Sequence, residues 1–307
     1  MDFIDKWSNE DTGVKPLKLV DWLGLGRSKY YYWREHYGHA HEHNAKVPRD
    51  HWILEEEKKA VIDFAREYPL EGYRRLTFMM LDGDIVAISP SSTYRILKQA
   101  GLIRNKTGRT SQKGKGFVQP LQPHEHWHVD ISYINICGTF FYLCSVLDGA
   151  SRAIVHTEVR TSMCEEDIQI VIQKALENYP GFQPRIISDN GPQFVAKDFK
   201  EFIREAGLTH LKTSPYYPQS NGKIERWHQT IKHECIRKKT PIDLHTAKKV
   251  IDEYIHHYNH VRLNSAIGYV TPQDKLSGKD KAIFAQRDHK LALARQQRKL
   301  KRQQINH

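Results

Sequence analysis

From Trp127 onward apolar and polar side chains alternate with a period of two: Trp127, Val129, Ile131 and Tyr133 are interleaved with His128, Asp130 and Ser132. Such alternation predicts a strand with Asp130 on one face, because successive side chains of an extended chain point to opposite sides. Two further strands are expected at 139–147 and 152–159 after a first at 127–136, joined by short turns at Cys137-Gly138 and Asp148-Gly149. The pattern then changes. A helix is predicted near 164–178, followed by a short apolar run that ends at Asp189 and turns at Asn190-Gly191-Pro192. A helix near 194–205 and a short strand near 210–212 come next. Ser220 or Asn221 can then cap a helix whose first two turns contain Glu225. A further helix is expected over 243–258. Strands first, then strands alternating with helices, indicate an α/β mixed sheet covered by helices.

Ahead of this region the periodicity is helical. Leu17 to Tyr37 reads as two short helices around Gly24-Leu25-Gly26, with Ser28 a possible cap for the second. This makes a helix-turn-helix candidate in which Arg27 and Lys29 face a nucleic acid; the plain alternative is a small helical hairpin whose Tyr30 to Trp33 run packs inward. A second helical unit spans about 53–102, with helices near 53–64, 72–80 and a third opened by Ser89-Pro90 and stopped at Gly101. On that third helix Ser91, Ser92, Tyr94, Arg95 and Lys98 can face a groove while Ile96 and Leu97 pack behind, the placement of a recognition helix; a capped surface helix is the alternative.

Composition narrows the partners. Lys and Arg total 47 against 36 Asp and Glu, a net charge of +11 that favours a polyanion. Five basic residues, Arg104, Lys106, Arg109, Lys113 and Lys115, occur without an acid amid Gly, Ser and Thr, as in a linker that can settle along phosphates. From Arg287 to Arg302 seven basic residues accompany a single acid, a helical tail suited to phosphate contact or to solvent. No apolar run reaches the length of a membrane span and the amino terminus has no signal pattern, so a cytoplasmic protein is expected. The four cysteines form no C-x-x-C pair, which argues against a disulfide framework or a zinc knuckle. His36, His39, His41 and His43 cluster without a cysteine, and His124, His126 and His128 lie on the approach to the first strand, where side-chain or phosphate contacts are expected rather than a metal.

Three acids carry the candidate chemistry. Asp130 sits in a strand, Asp189 at a strand end, and Glu225 in a helix, with 35 residues between the last two. Carboxylates from two strands and a helix can converge at a sheet edge, and hard oxygen donors are what magnesium prefers. Asp148 is a fourth acid, which a hairpin turn explains. The loop from Thr213 to Gly222 offers Tyr216, Gln219, Asn221 and, just beyond it, Lys223 as DNA contacts, since aromatic loop tips can stack on bases; packing of the tyrosines on the core is the alternative.

The Asp130 strand, the SDNGPQF segment from Ser188 and the PYYPQSNGKIER segment from Pro215 resemble the catalytic core shared by retroviral integrases and bacterial DDE transposases. Lys232, seven residues after Glu225, fills the family's basic position; two helical turns place it on the face of Glu225, beside a phosphate. LGLGRSKYYYWRE, EGYRRL, TYRILKQAGL and HHYNHVRLNSAIGYVTPQDKL extend the resemblance to the second-reading-frame catalytic subunit of insertion-sequence-three transposases. Ile187 and the PQSNGKIE segment depart from patterns common in that family.

The resemblance implies a ribonuclease-H-like core at 123–278, with a helix-turn-helix unit at 1–45, a second DNA-binding unit at 46–104, a basic linker at 105–122 and a basic tail at 279–307. It implies a D,D-35-E triad of Asp130, Asp189 and Glu225 holding two Mg2+ ions, with Mn2+ able to substitute, Asp130 bridging both. It further implies double-stranded DNA as substrate at element ends and target, and a homo-oligomer in a synaptic complex. An upstream-frame DNA-binding partner, a bacterial cytoplasm and association with the nucleoid also follow from it. The alternatives are an integrase of a phage or retroelement and a non-enzymatic DNA-binding repressor with an inactive core.

Overall fold

The computed structural model describes residues 1–8, 12–38, 52–103, 120–212 and 221–305. The expected basic linker, the histidines at 39, 41 and 43, and the candidate contacts Tyr216 and Gln219 lie outside the described residues. The chain divides into two compact units, 1–49 and 50–307.

The first unit is built from α1 (Asp2–Trp7), α2 (Pro16–Trp22) and α3 (Arg27–Glu35). Ile4, Leu19, Val20 and Tyr30 form its small core. Gly26, not Ser28, stands at the start of α3, and Ser28 is one residue inside the helix. Of the Tyr30–Trp33 run only Tyr30 is buried, while Tyr31 and Tyr32 are exposed.

The second unit opens with α4 (Glu55–Glu67), α5 (Tyr73–Asp82) and α6 (Pro90–Gln99). Val61, Leu76, Met80, Ile96 and Leu97 interlock in one cluster, as their helical spacing requires. Ser89 caps α6 by accepting the Ser92 amide at 3.2 Å, and Pro90 takes the first-turn position where a missing N–H costs nothing.

The sheet contains β1 (His126–Ile136), β2 (Thr139–Asp148), β3 (Ile154–Arg160), β4 (Arg185–Ser188) and β5 (Thr209–Lys212) in the order β3-β2-β1-β4-β5. β1, β2 and β3 pair antiparallel, whereas β4 joins β1 and β5 joins β4 in parallel. This is the mixed α/β sheet anticipated from the element order. Connections at β4 and β5 pass through α7 (Glu165–Asn178), α8 (Pro192–Val195) and α9 (Lys197–Glu205). The single helix expected near 194–205 is therefore two, broken where Ala196 adopts an extended backbone.

Both faces of the sheet are covered. Trp127 and Val129 of β1 pack with residues of α7 and α9, while Ile134 and Ile136 pack with α10 (Gly222–Ile231) and α12 (Leu244–His260). Burial of each large apolar side chain contributes about 1.5–3 kcal/mol, so α10 is held to the sheet chiefly by Ile224, Trp227 and Ile231. Polar residues of β1 are buried as well: His128 is 0 % exposed, because a helix covers the face that simple alternation would leave to water.

After α10 the chain passes through a π-helical turn (Lys232–Ile236) and α11 (Arg237–Lys239) to α12. Asn259 of α12 accepts the Ile154 amide and donates to the Ile154 carbonyl, both at 2.9 Å, completing the backbone bonding at the edge of β3. Beyond a short 3-10 turn come α13 (Pro272–Leu276) and the long α14 (Asp280–Ile305). The basic tail is not simply solvated, since Arg287 and Arg298 are buried in ion pairs with Asp82 and Glu57. Among the described residues no helix is long and apolar enough to cross a membrane.

Candidate active site

The parallel ladder between β1 and β4 pairs His128 with Ile187. Asp130 and Asp189 each follow that last rung by two residues, so both carboxylates lie just past the end of the β1–β4 ladder. Asp189 lies just beyond the carboxyl end of β4, where the chain leaves the ladder. Its Oδ1 accepts the Gly191 amide at 2.9 Å, and a Cβ on residue 191 would stand only 3.0 Å from that oxygen, so glycine permits the approach. Ser188 beside it contacts His210 Nε2 at 2.8 Å, tying β4 to β5 beneath the aspartate.

Asp130 is fixed from two sides. Its Oδ1 accepts the Ile131 amide at 2.9 Å, and its Oδ2 lies 3.4 Å from His228 Nδ1 on α10. Glu225 precedes His228 by three residues, which makes the two neighbours on the helix surface, and Glu225 is exposed. Trp227, next to His228 and buried like it against the sheet, donates from Nε1 to Ser145 Oγ at 3.0 Å. Ser145 is the cross-strand partner of Asp130, so a buried hydrogen bond sets the height of α10 above the carboxylates.

The acids do not close around a common point. Among the described residues no group of three or more His, Cys, Asp or Glu side chains is gathered closely enough to hold a metal ion.

Lys232 stands at the junction of α10 and the π-helical turn, half-buried. Burial lowers its pKa, while the charge of Asp130 acts in the opposite direction, which places this cation within electrostatic reach of the carboxylate. Single π turns within helices recur at functional sites. The turn is braced by Glu234, which accepts two bonds from Arg262, at 2.8 and 2.6 Å, and one from Tyr254 at 2.8 Å.

Two residues expected as DNA contacts face inward. Lys223 donates to the Gly149 carbonyl at 2.8 Å, and burial, with Arg152 nearby, pushes its pKa down to about 7. Asn221 is buried close to His128, a histidine that burial drives down to about 3. Both anchor the start of α10 to the sheet. Asp148 likewise serves the fold: buried, it accepts from the His124, Ala150 and Ser151 amides and the Ser151 hydroxyl.

On α6, Ser91, Arg95 and Lys98 are exposed and share one face at i, i+4 and i+7, while Ser92 and Tyr94 are half-buried. Tyr94 packs against Tyr73 with ring centroids 5.2 Å apart, and Lys98 extends over the Tyr94 ring. In the first unit Arg27 pairs with Asp21 at 2.9 Å and Lys29 lies over the Trp33 ring at 4.7 Å. His228 and Ser145 were missed by sequence reasoning. The signal for His228 was its i+3 offset from Glu225; nothing in the sequence marks Ser145.

Models of the integrase core domain match residues 120–218 and 206–272. The chain is 29 % identical over 225 residues to the transposase InsD of insertion element IS2 from Escherichia coli, covering 68 % of this chain and 74 % of InsD. It is 24 % identical over 216 residues to a 39.2 kDa protein of insertion element IS476 from Xanthomonas euvesicatoria, covering 69 % of this chain and 62 % of that relative's length. Among solved structures, similarity extends to the simian T-cell lymphotropic virus intasome in complex with PP2A regulatory subunit B56 gamma, with TM-score 0.47, 16 % identity and coverage of 71 % and 74 %. It extends also to the magnesium-bound catalytic core of HTLV-2 integrase in its trimeric form, with TM-score 0.42, 20 % identity and coverage of 50 % and 97 %.

Proposed function

We propose that the chain is a transposase that binds the ends of a mobile DNA element, cuts there to expose a 3′-hydroxyl, and joins that end to a new phosphodiester, a reading supported by the integrase core domain matched within it and by its similarity to InsD. The observation that supports this reading is that Asp130 and Asp189 both follow the last rung of the β1–β4 ladder by two residues, while His228, one turn from Glu225 on α10, reaches Asp130.

The donor set fits a hard divalent cation, since every candidate ligand is a carboxylate oxygen. Asp130 and Asp189 would hold one magnesium or manganese ion, and Asp130 with Glu225 a second. Ions bound there supply Lewis-acid charge for the attacking and leaving oxygens of an in-line displacement. His228 and the Ile131 amide orient Asp130, and Lys232 offers a cation to a phosphate of the reactive strand. Water is the nucleophile in cutting and the 3′-hydroxyl in joining, with no bond formed to the protein. Ser91, Arg95 and Lys98 read the element end from α6. Both ends must be held together for joining, which calls for a homo-oligomer, and DNA of a bacterial host places the reaction in the cytoplasm at the nucleoid.

The deciding experiment compares Asp130→Asn, Asp189→Asn and Glu225→Gln with wild type on labelled element ends in magnesium. Each variant is expected to lose cutting and joining while retaining DNA binding; full joining by any one of them refutes the assignment. Retained binding separates this outcome from failure of the reading helix, for which Arg95→Ala with Lys98→Ala is expected to weaken binding itself.

A further inference from the structure

We propose that α14 determines where the DNA is cut: Arg287 and Arg298 are positioning residues that clasp the α4–α6 unit to the catalytic core, fixing the distance from the reading face of α6 to Asp130, Asp189 and Glu225. The inference rests on the proposed function for what α6 and the carboxylates do; the clasp itself is a matter of contacts.

Arg287 and Arg298 are each 4 % exposed, a rare state for arginine unless every donor is used. Arg287 forks onto Asp82 at the end of α5, Nε to Oδ1 at 2.8 Å and Nη2 to Oδ2 at 2.6 Å. It also donates to the backbone carbonyls of Gly268 at 3.2 Å and Tyr269 at 2.7 Å, between α12 and α13. One guanidinium therefore joins three parts of the chain. Arg298 bonds both oxygens of Glu57 on α4, at distances from 2.8 to 3.0 Å, and the Ala87 carbonyl at 2.6 Å. Lys290 reaches Asp84 and the Leu81 carbonyl, and Lys301 pairs with Glu56. The basic residues that looked free for phosphate in the sequence are largely committed to these partners.

The junction continues to the catalytic face. Phe78 of α5 stacks on Tyr269 with centroids 4.9 Å apart. Gly268 has a positive φ of 82°, and a Cβ there would come within 2.7 Å of Phe284 on α14, so only glycine lets the helix seat this closely. Asn264, bridged to Val270, donates to the Tyr258 hydroxyl at 3.3 Å, and Tyr258 meets Trp227 edge-on at 4.6 Å. Trp227 is the residue that fixes α10 on Ser145, opposite Asp130. On the other side, Thr77 of α5 donates to Thr93 of α6 at 2.8 Å in a buried contact. Packed side chains thus run without a gap from α6 to the carboxylates.

Desolvated arginine–carboxylate forks specify geometry more than they add stability, because the ions are costly to bury and tolerate few alternative arrangements. A clasp of this kind makes the path through 104–119 irrelevant to the spacing between reader and cutter. A swinging domain tethered by that segment would behave oppositely.

The test uses the full-length protein and a labelled duplex carrying one element end, with cut positions mapped to the nucleotide in magnesium. Inserting about six Gly and Ser residues within 104–119 adds flexible reach, yet is expected to leave the cut at the same phosphodiester. Arg287→Ala with Arg298→Ala is expected to lower the melting temperature, because Asp82 and Glu57 lose their buried partners, yet to keep a cooperative fold and end binding while scattering cuts. Its rate at the native position should fall roughly tenfold or more, since misplacement of about 1 Å costs on the order of a hundredfold. Cuts that shift or spread on insertion, or a folded double variant that cuts as wild type does, overturn the clasp. Should the double variant fail to fold, the insertion variant, which keeps both forks, decides alone. Absence of any metal-dependent cutting by wild type would instead refute the proposed function, a result distinct from precise cutting by both variants and wild type.

Discussion

Asp130 Oδ2 lies 3.4 Å from His228 Nδ1, a contact that links the middle of β1 to α10. It acts with the Ile131 amide on Oδ1, so both oxygens of the central carboxylate have protein partners that restrict its rotation. A carboxylate so oriented presents fixed lone pairs, whereas a freely rotating one must be ordered each time a cation arrives.

His228→Ala should therefore raise the magnesium concentration needed for half-maximal cutting by roughly 10–100-fold, the usual effect of losing a partner that orients a metal ligand. Calorimetric titration with magnesium in the absence of DNA should show the same weakening. Coincident titrations for variant and wild type would leave His228 as ordinary packing.

Lys232 sits two helical turns beyond Glu225 and within reach of the Asp130 charge. Lys232→Ala should slow joining and lower the magnitude of the salt slope for duplex binding by roughly one, the loss of a single phosphate contact. An unchanged slope with unchanged joining would remove the lysine from the DNA interface.

Asn259 satisfies both backbone groups of Ile154 from α12. Asn259→Ala leaves a buried donor and acceptor at the edge of β3 without those bonds, a loss of about 1–3 kcal/mol per unsatisfied group. A clear fall in melting temperature with DNA-end preference intact is expected; a variant as stable as wild type would mean that water replaces the amide at no cost.

His210 provides a pH signature away from the acids. Burial first, and then Lys212, pushes its pKa down to about 4. The unfolded chain gains a proton near 6.5 that the folded chain refuses until about pH 4. Stability should therefore fall as pH drops through that window, by less than about 1.4 kcal/mol per pH unit for this partly buried group. His210→Gln should flatten the difference between melting temperatures at pH 7.5 and pH 5; an undiminished difference would assign the slope to other groups.

Much of this fold was written in local periodicity. The three-strand start, the crossover helices and the end of the fourth strand at Asp189 follow from alternation, helical spacing and the Asn190-Gly191-Pro192 turn, all short-range signals. The helix expected to run from 194 was less legible, because its break at Ala196 answers to packing of Phe194 and Phe199 rather than to a glycine or proline in the helix. The roles of Asn221 and Lys223 were also hidden. Their residue types suit DNA contact, and only the cover of α10 over β1 turns them toward His128 and Gly149.

The sequence by itself determined which elements form, which acids terminate or occupy them, and that the chain is basic, since these depend on neighbours a few positions away. Tertiary structure alone decided that β4 pairs in parallel with β1 just ahead of Asp130 and Asp189, that His228 touches Asp130 and Trp227 reaches Ser145, and that Arg287 and Arg298 are spent on Asp82 and Glu57. Contacts across more than two hundred residues have no periodic signature. They arise when separate apolar faces are buried together and each polar group trapped between them must find a partner.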